Sequence, residues 1–479
     1  MKSRPRRTNR PALTLGTSLV VTLTGALMGC PNRDIAEVPP VQDKTEVKRI
    51  PVELNRNIDI LWVVDNSKSM DGEQAALIAN FPAFISVLES IEGGLPNVHM
   101  GVVSTNGRNI GLSGCGGGGG TLIAPAGKSS FISDILPENS QTRTNSWSGE
   151  GYGSLAEAFS DYAAIGTTGC GFEQHFQSVI DAIGPNSNPG FIRDDAFLAV
   201  IFLTDEDDCS GEIGNNGLYV NYGNSTGELG PLSSYRCWEY GVQCDGDAPS
   251  NERLAGVRRD CQIDNDSPYT MKLGTIVDAL ETVKRKSQLI VASIQGDTDV
   301  DNVSVIQKPA AWTAEKSPVT LAPSCVQPGA PDPLLTPEGE STIARPAVRL
   351  KALLDNYPNR SSSQSICAGD LTPALTQIAN LLKEVVGNPC IQGDLKDADL
   401  DTAGLQPDCQ VSVVTNYGEA DQSEEILPQC SASVTNNCWK LEVDADKCSE
   451  TDHNLILIIE RDETATDNTK TFVAGCSLN

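Results

Sequence analysis

The chain has 479 residues, of which 39% are hydrophobic and 20% are charged, and this globular composition excludes wholesale disorder. At about 100 to 200 residues per domain, the length indicates two or three domains. The 63 acidic and 35 basic residues give a formal net charge of −28. Such a charge repels phosphate, so it argues against nucleic acid as a partner and against adsorption to an anionic membrane surface.

Cysteine usage indicates an oxidising compartment. The chain has 15 cysteines, and no two of them are spaced as C-x-x-C. That number is high for a reducing cytosol, and the missing motif argues against a zinc ribbon or a thioredoxin-like site. We therefore predict an exported protein with disulfide bonds.

Residues 1–29 have the pattern of an export signal. Five basic residues precede the apolar run ALTLGTSLVVTLTGALM, which is short for a membrane span. The run ends in Leu-Met-Gly-Cys, which resembles the lipobox of bacterial lipoproteins, and an ordinary cleavage site followed by a chance cysteine is the alternative. The resemblance implies cleavage after Gly29 and lipidation of Cys30, and Pro31 is compatible with sorting to the outer membrane.

We therefore expect a lipid-anchored protein of the cell envelope, in the outer membrane of a Gram-negative bacterium, that reaches the bilayer only through its anchor. Without Cys30 the thiol count is even, at 14, as a fully paired disulfide framework requires. Residues 30–56 are polar and contain prolines, which is typical of a tether.

The chain after the tether alternates between strand and helix patterns. Near-continuous apolar runs, typical of strands buried on both faces, occupy residues 58–65, 98–104, 196–205 and 287–295. Helical spacing of apolar residues follows at 72–91, 154–164, 172–183, 269–286, 344–357 and 370–386. This alternation predicts an α/β domain over residues 57–389 with a doubly wound, mostly parallel sheet. Ligands bind such sheets at the carboxyl ends of the strands.

Two of the predicted strands end in oxygen-bearing side chains. The first runs into Asp65, Ser67 and Ser69 with the spacing D-x-S-x-S, and the third ends in Thr204 and Asp205. Carboxylate and hydroxyl oxygens are hard donors, which suit a magnesium-type cation. The alternative is that the turn only starts the following helix, since Asp and Ser are common N-cap residues.

The pattern D-x-S-x-S-M at a strand end, followed by a long helix and by a T-D strand end 140 residues later, resembles the von Willebrand factor type A domain. The resemblance implies a metal-ion-dependent adhesion site that holds Mg²⁺ or Mn²⁺. It also implies that a protein or another acidic ligand completes the coordination of the ion. The alternative within the family is a site that is occupied but idle. The implied ligands in this chain are Asp65, Ser67, Ser69 and Asp205, together with a threonine from a second loop.

The segment GTTGCGFEQHF, residues 166–176, is the candidate for the second loop. Thr168 is the first choice for the ligand and Thr167 the second. In common family members the threonine lies nearer the helix, where this chain has Cys170, so the assignment stays open.

Further cysteines divide the rest of the chain. An insertion at about residues 206–268 contains Cys209, Cys237, Cys244 and Cys261, and their pairing is left open among three possibilities. We expect Cys115 to pair with Cys170 across loops of the metal face, and Cys325 to pair with Cys367. The acidic run at residues 205–208 is a candidate for a second, calcium-like ion, and a solvated loop is the alternative.

Residues 390–479 contain six cysteines and short β-like runs at residues 409–415, 438–443 and 455–461. We predict a small disulfide-rich β domain, in which disulfides supplement a limited core. Its connectivity is left open among fifteen pairings.

Signatures of catalysis are scarce. The chain has three histidines and neither H-E-x-x-H nor G-x-S-x-G, so the sequence does not support an enzyme. The expected function is that of an adhesion or interaction protein of the envelope, similar to Cys-rich bacterial type A lipoproteins. The alternative is a structural or assembly component whose metal site only holds loops together.

Overall fold

A computed structural model describes most of the chain from residue 45 onward. The described residues are 45–51, 56–91, 94–118, 120–137, 140–194, 196–214, 217–220, 229–246, 253–312, 316–336, 342–358, 360–387, 391, 394–399, 405–415, 421–445, 448, 453–460 and 470–478. The predicted signal segment and the lipidation site Cys30 lie outside them. None of the described helices has the length and apolar character needed to span a lipid bilayer.

Strands are numbered here in chain order. They are β1 (Thr45–Pro51), β2 (Asn57–Val64), β3 (Asn97–Ser104), β4 (Ile132–Ile135), β5 (Thr144–Asn145), β6 (Phe197–Leu203), β7 (Val242–Gly246), β8 (Gly256–Ile263), β9 (Leu289–Gln295), β10 (Val303–Gln307), β11 (Val319–Leu321), β12 (Cys325–Val326), β13 (Ile343–Ala344), β14 (Ser361–Ser365), β15 (Cys409–Thr415), β16 (Ser423–Leu427), β17 (Cys438–Val443), β18 (Leu455–Glu460) and β19 (Lys470–Ser477).

The α-helices follow the same convention. They are α1 (Asp71–Glu89), α2 (Leu155–Ala163), α3 (His175–Ile183), α4 (Tyr235–Gly241), α5 (Leu273–Val283), α6 (Val348–Asp355) and α7 (Thr372–Gly387). Every helix predicted from the sequence is present, and the boundaries differ by a few residues at most sites.

The largest sheet is mostly parallel and has seven strands in the order β14-β9-β6-β2-β3-β4-β5. The five strands from β14 to β3 run parallel, whereas β4 and β5 join antiparallel at one edge. The four strands predicted from apolar runs are confirmed as β2, β3, β6 and β9. The sequence SSSQS of β14 has no apolar signal, and its pairing with β9 makes it a strand.

Helices cover both faces of this sheet. Alternate side chains of β2 point to opposite faces, so Trp62 lies in the core formed with α1, α2 and α7, and Val63 lies in the core formed with α3, α5 and α6. Trp62 packs edge-on against Phe81 and Phe84 of α1. Each such aromatic side chain contributes about 1.5 to 3 kcal/mol by burial. The two cores hold the carboxyl ends of the parallel strands in place.

The insertion forms its own antiparallel sheet in the order β11-β10-β8-β7. This sheet extends beyond the predicted limits of about 206–268, because β10 and β11 follow β9 in the chain and pair with β8 and with each other. The disulfides are Cys209–Cys237 and Cys244–Cys261, which resolves the pairing that the sequence left open.

The C-terminal part is a disulfide-rich β structure with a separate core. Its sheet has the order β1-β19-β15-β16, and β17 pairs with β18. Two disulfides, Cys409–Cys476 and Cys430–Cys438, tie these strands together. Residues 45–51, within the segment predicted as a tether, form β1 and pair along their whole length with β19. The reason is that β19 would otherwise present a row of unpaired backbone groups at this edge.

Candidate metal site

The first loop of the site follows β2 and is built around Asp65. The backbone N–H of Asp65 donates to the carbonyl oxygen of Leu203 at 2.9 Å, which joins the ends of β2 and β6. One carboxylate oxygen of Asp65 accepts the backbone N–H of Ser67 at 2.7 Å, and the other accepts the hydroxyl of Thr204 at 2.8 Å. The hydroxyl oxygens of Ser67 and Ser69 lie 3.1 Å apart. The D-x-S-x-S pattern thus brings its three side chains into one turn.

Asp205 lies beside this turn, directly after β6. Its side chain is buried, with 3% exposure, and its Oδ1 atom has no hydrogen-bond partner. Burial together with the negative charge of Asp65 raises the pKa of Asp205 well above its usual value. A buried carboxylate oxygen without a partner is unfavourable unless another group satisfies it.

The second loop contacts the first loop through its backbone. The N–H of Gly169 donates to the carbonyl oxygen of Asn66 at 2.8 Å, whereas the side chain of Thr168 is exposed and that of Thr167 is partly exposed. Cys170 forms a disulfide with Cys115, the pairing that the sequence predicts, so its sulfur is not free to bind a metal. Among the three candidates for the second-loop ligand, the structure therefore removes Cys170.

Sequence reasoning missed Glu173 in the second loop. Its side chain is 1% exposed, and its carboxyl group lies beside that of Glu206. Burial and the negative charges of Glu206 and Asp65 raise its pKa well above the usual value. An acidic residue two positions before α3 is ordinary at a helix start, so no signal in the sequence separates Glu173 from other helix-start acids.

Burial also raises the pKa of Asp65, to about 6, although the hydrogen bonds from Ser67 and Thr204 oppose this effect. Glu206 adds to the rise through its negative charge. Glu206 itself forms an ion pair with Arg345 at 3.1 Å. The candidate site thus concentrates negative charge, and among these carboxylates only that of Glu206 has an ion pair within the described part of the chain.

Four other buried carboxylates of the molecule have arginine partners. These ion pairs lie within 3.0 Å and are Asp59 with Arg193, Asp134 with Arg143, Asp208 with Arg349, and Glu239 with Arg253. Within the described part of the chain, no ion pair joins Asp65, Asp205 or Glu173 to a basic side chain. Asp65, Asp205 and Glu173 are thus buried at the carboxyl edge of the sheet without a basic partner. Among the described residues, Glu73 in the first turn of α1 is a fourth such carboxylate, and its Oε1 atom accepts the side-chain amide of Gln327.

Two carboxylates of the acidic run at residues 205–208, those of Asp207 and Asp208, are engaged in contacts within the protein. Asp207 accepts the backbone N–H groups of Arg349 and Leu350 at the start of α6. Asp208 is fully buried and pairs with Arg349 at 3.0 Å. Both carboxylates are thus used in hydrogen bonds that hold α6 against the strand end.

The donor set fits a hard divalent cation that is bound by carboxylates and hydroxyls together. Among the described residues, no three His, Cys, Asp or Glu side chains converge closely enough to hold an ion by themselves. The described oxygen donors are the hydroxyls of Ser67 and Ser69 with the carboxylates of Asp65 and Asp205. Mg²⁺ binds in proteins through such small sets and keeps several waters.

Comparison with known proteins gives little guidance. No family model matches the chain, and no curated protein matches it. Among solved structures, the pilus adhesin RrgA from Streptococcus pneumoniae is similar with a TM-score of 0.25 and 10% sequence identity. The match covers 93% of this chain and 60% of the adhesin, so the chain spans less than two thirds of that protein. A TM-score this low carries no argument about fold or function.

Proposed function

We propose that this chain is an interaction protein of the von Willebrand factor type A class, which binds a protein or another anionic ligand through a divalent cation. The proposed metal-ion-dependent adhesion site consists of Asp65, Ser67, Ser69 and Asp205. The observation that supports it is the contrast among buried carboxylates, because Asp65 and Asp205 have no arginine partner, whereas Asp59, Asp134, Asp208 and Glu239 each have one. Mg²⁺ or Mn²⁺ would supply the missing positive charge.

The same electrostatics favour an acidic ligand over a neutral one. The protein has a formal net charge of −28, so its surface repels an acidic partner at a distance. A cation beside Asp205 would give one local attractive point, at which a partner's carboxylate replaces a bound water. The proposed role is therefore binding and not catalysis.

A selection experiment tests this ligand class. Random peptides displayed on phage are bound to the protein in Mn²⁺ and eluted with EDTA, beside an Asp205→Asn control. We expect the eluted peptides to be enriched in Glu or Asp, since a carboxylate is the ligand that completes the coordination of the ion. Peptides that bind equally well in EDTA, or equally well to the control, would rule the proposal out.

A structural role for the cation is the second candidate. The loops around the site are already joined by backbone hydrogen bonds, from Gly169 to Asn66 and from Arg345 to Asp205, both at 2.8 Å. An ion here would then only hold loops within an assembly component of the envelope. Partner binding that persists in EDTA would favour this candidate.

We also propose that the chain is anchored to the envelope through a lipid on Cys30. The proposal depends on the Leu-Met-Gly-Cys sequence after the apolar run. We expect mass spectrometry of the N-terminal peptide to show acyl chains on Cys30, and we expect Cys30→Ser to release the protein from membranes. An unmodified Cys30 in membrane fractions would contradict the anchor.

A further inference from the structure

The second loop holds Glu173 in a defined position. The backbone carbonyl of Glu173 accepts the N–H of Cys209 at 2.6 Å, and the N–H of the next residue, Gln174, donates to the carbonyl of Thr105 at 2.8 Å. The Cys115–Cys170 disulfide ties the same loop to the one that follows β3. The backbone of Glu173 is therefore held on both sides, and its side chain is buried.

The carboxyl group of Glu173 has one oxygen atom without a hydrogen-bond partner. The group faces Glu206, and the atom without a partner is the buried Oε1. Glu206 forms an ion pair with Arg345, so that arginine is already engaged. A buried, unpartnered carboxylate oxygen is unfavourable unless another group arrives to satisfy it.

We propose that Glu173 is an outer-sphere carboxylate of the cation site, whose Oε1 atom accepts a hydrogen bond from a water bound to the ion at Asp65 and Asp205. This inference rests on the proposed function. No three His, Cys, Asp or Glu side chains of the described residues converge on one ion, so the proposal places a bound water between Glu173 and the cation. Glu173 thus adds an acidic group from the second loop, in which Thr168 and Thr167 remain the predicted candidates for the threonine ligand.

Groups of this kind orient the bound water and tune the ion, and their loss typically weakens metal affinity by about 10- to 100-fold. A carboxylate in this position also makes the loaded site richer in negative charge. The site should then hold its cation firmly before any partner arrives.

The test compares Glu173→Gln with a matched control, Glu239→Gln, in the mature chain with its disulfides intact. Glu239 is an equally buried glutamate, but it pairs with Arg253 away from the proposed ligands. Free Mn²⁺ is measured by electron paramagnetic resonance, and unfolding is measured separately in EDTA. We expect Glu173→Gln to weaken Mn²⁺ binding about 10- to 100-fold without lowering the melting temperature in EDTA. Glu239→Gln should lower the melting temperature in EDTA and leave the Mn²⁺ affinity unchanged.

Two results would overturn the inference by itself. One is unchanged Mn²⁺ affinity in Glu173→Gln while Asp205→Asn abolishes binding, which would leave the proposed function in place. The other is a fall in the melting temperature of Glu173→Gln in EDTA that accounts for its weaker binding, which would make Glu173 a purely structural residue. A wild-type protein that binds no Mn²⁺ would overturn the proposed function together with the inference.

Discussion

Replacing Asp205 with asparagine is expected to abolish the stabilisation of the protein by Mg²⁺ or Mn²⁺ without destabilising the cation-free protein. Asp205 is a buried carboxylate with one unpartnered oxygen, so the neutral amide removes a desolvation cost and the proposed ligand together. At a cation concentration of 100 times the dissociation constant, the wild type should gain about 2.7 kcal/mol and the variant should gain none. The measurement is thermal unfolding in EDTA and then in millimolar cation, with the disulfides intact.

The neighbouring Asp208 provides the control for this experiment. Asp208 lies in the same acidic run, but it pairs with Arg349 and accepts the backbone N–H of Phe176 at 2.9 Å. Asp208→Asn should therefore lower the stability in EDTA and keep the cation-dependent gain. If Asp205→Asn retained the full gain, the cation would bind elsewhere and the proposed site would be wrong.

Replacing Arg349 with methionine is expected to lower the free energy of unfolding by about 3 to 5 kcal/mol, the range for removing one partner of a buried ion pair. The Arg349 side chain is fully buried and pairs with Asp208 at 3.0 Å. It also donates to the carbonyl oxygens of Met271 at 2.6 Å and Gly241 at 3.2 Å. Its loss leaves the charge of Asp208 buried without compensation. Chemical denaturation in EDTA measures the change.

Two further variants separate charge burial from loss of packing. Adding Asp208→Asn to Arg349→Met removes the uncompensated charge, so the double variant should recover part of the stability. Lys351→Met removes a basic residue of the same helix whose ion pair with Asp355 is exposed, and it should cost at most about 1 kcal/mol. A loss below about 1 kcal/mol for Arg349→Met would contradict the structural role assigned to this pair.

Most of the elements around the site follow from local pattern. Strands β2, β6 and β9 are apolar on both faces because helices cover the sheet on both sides. Their apolar runs therefore predict them from the sequence. The polar strand β14 cannot be predicted from its residue types, because its backbone pairing with β9 makes it a strand. The same is true of β1, which forms by covering the edge of β19 some 420 residues away.

Local sequence is enough to predict the strand ends and the turn that brings Asp65, Ser67 and Ser69 together, because neighbours in a short turn are close in any fold that forms it. Which carboxylates lie close together there depends on the tertiary packing. Glu173 lies beside Glu206, which is 33 positions later in the sequence. Arg349 forms an ion pair with Asp208 and not with Asp205. Such contacts depend on how strands and helices pack, and the pattern of residue types along the chain does not encode them locally.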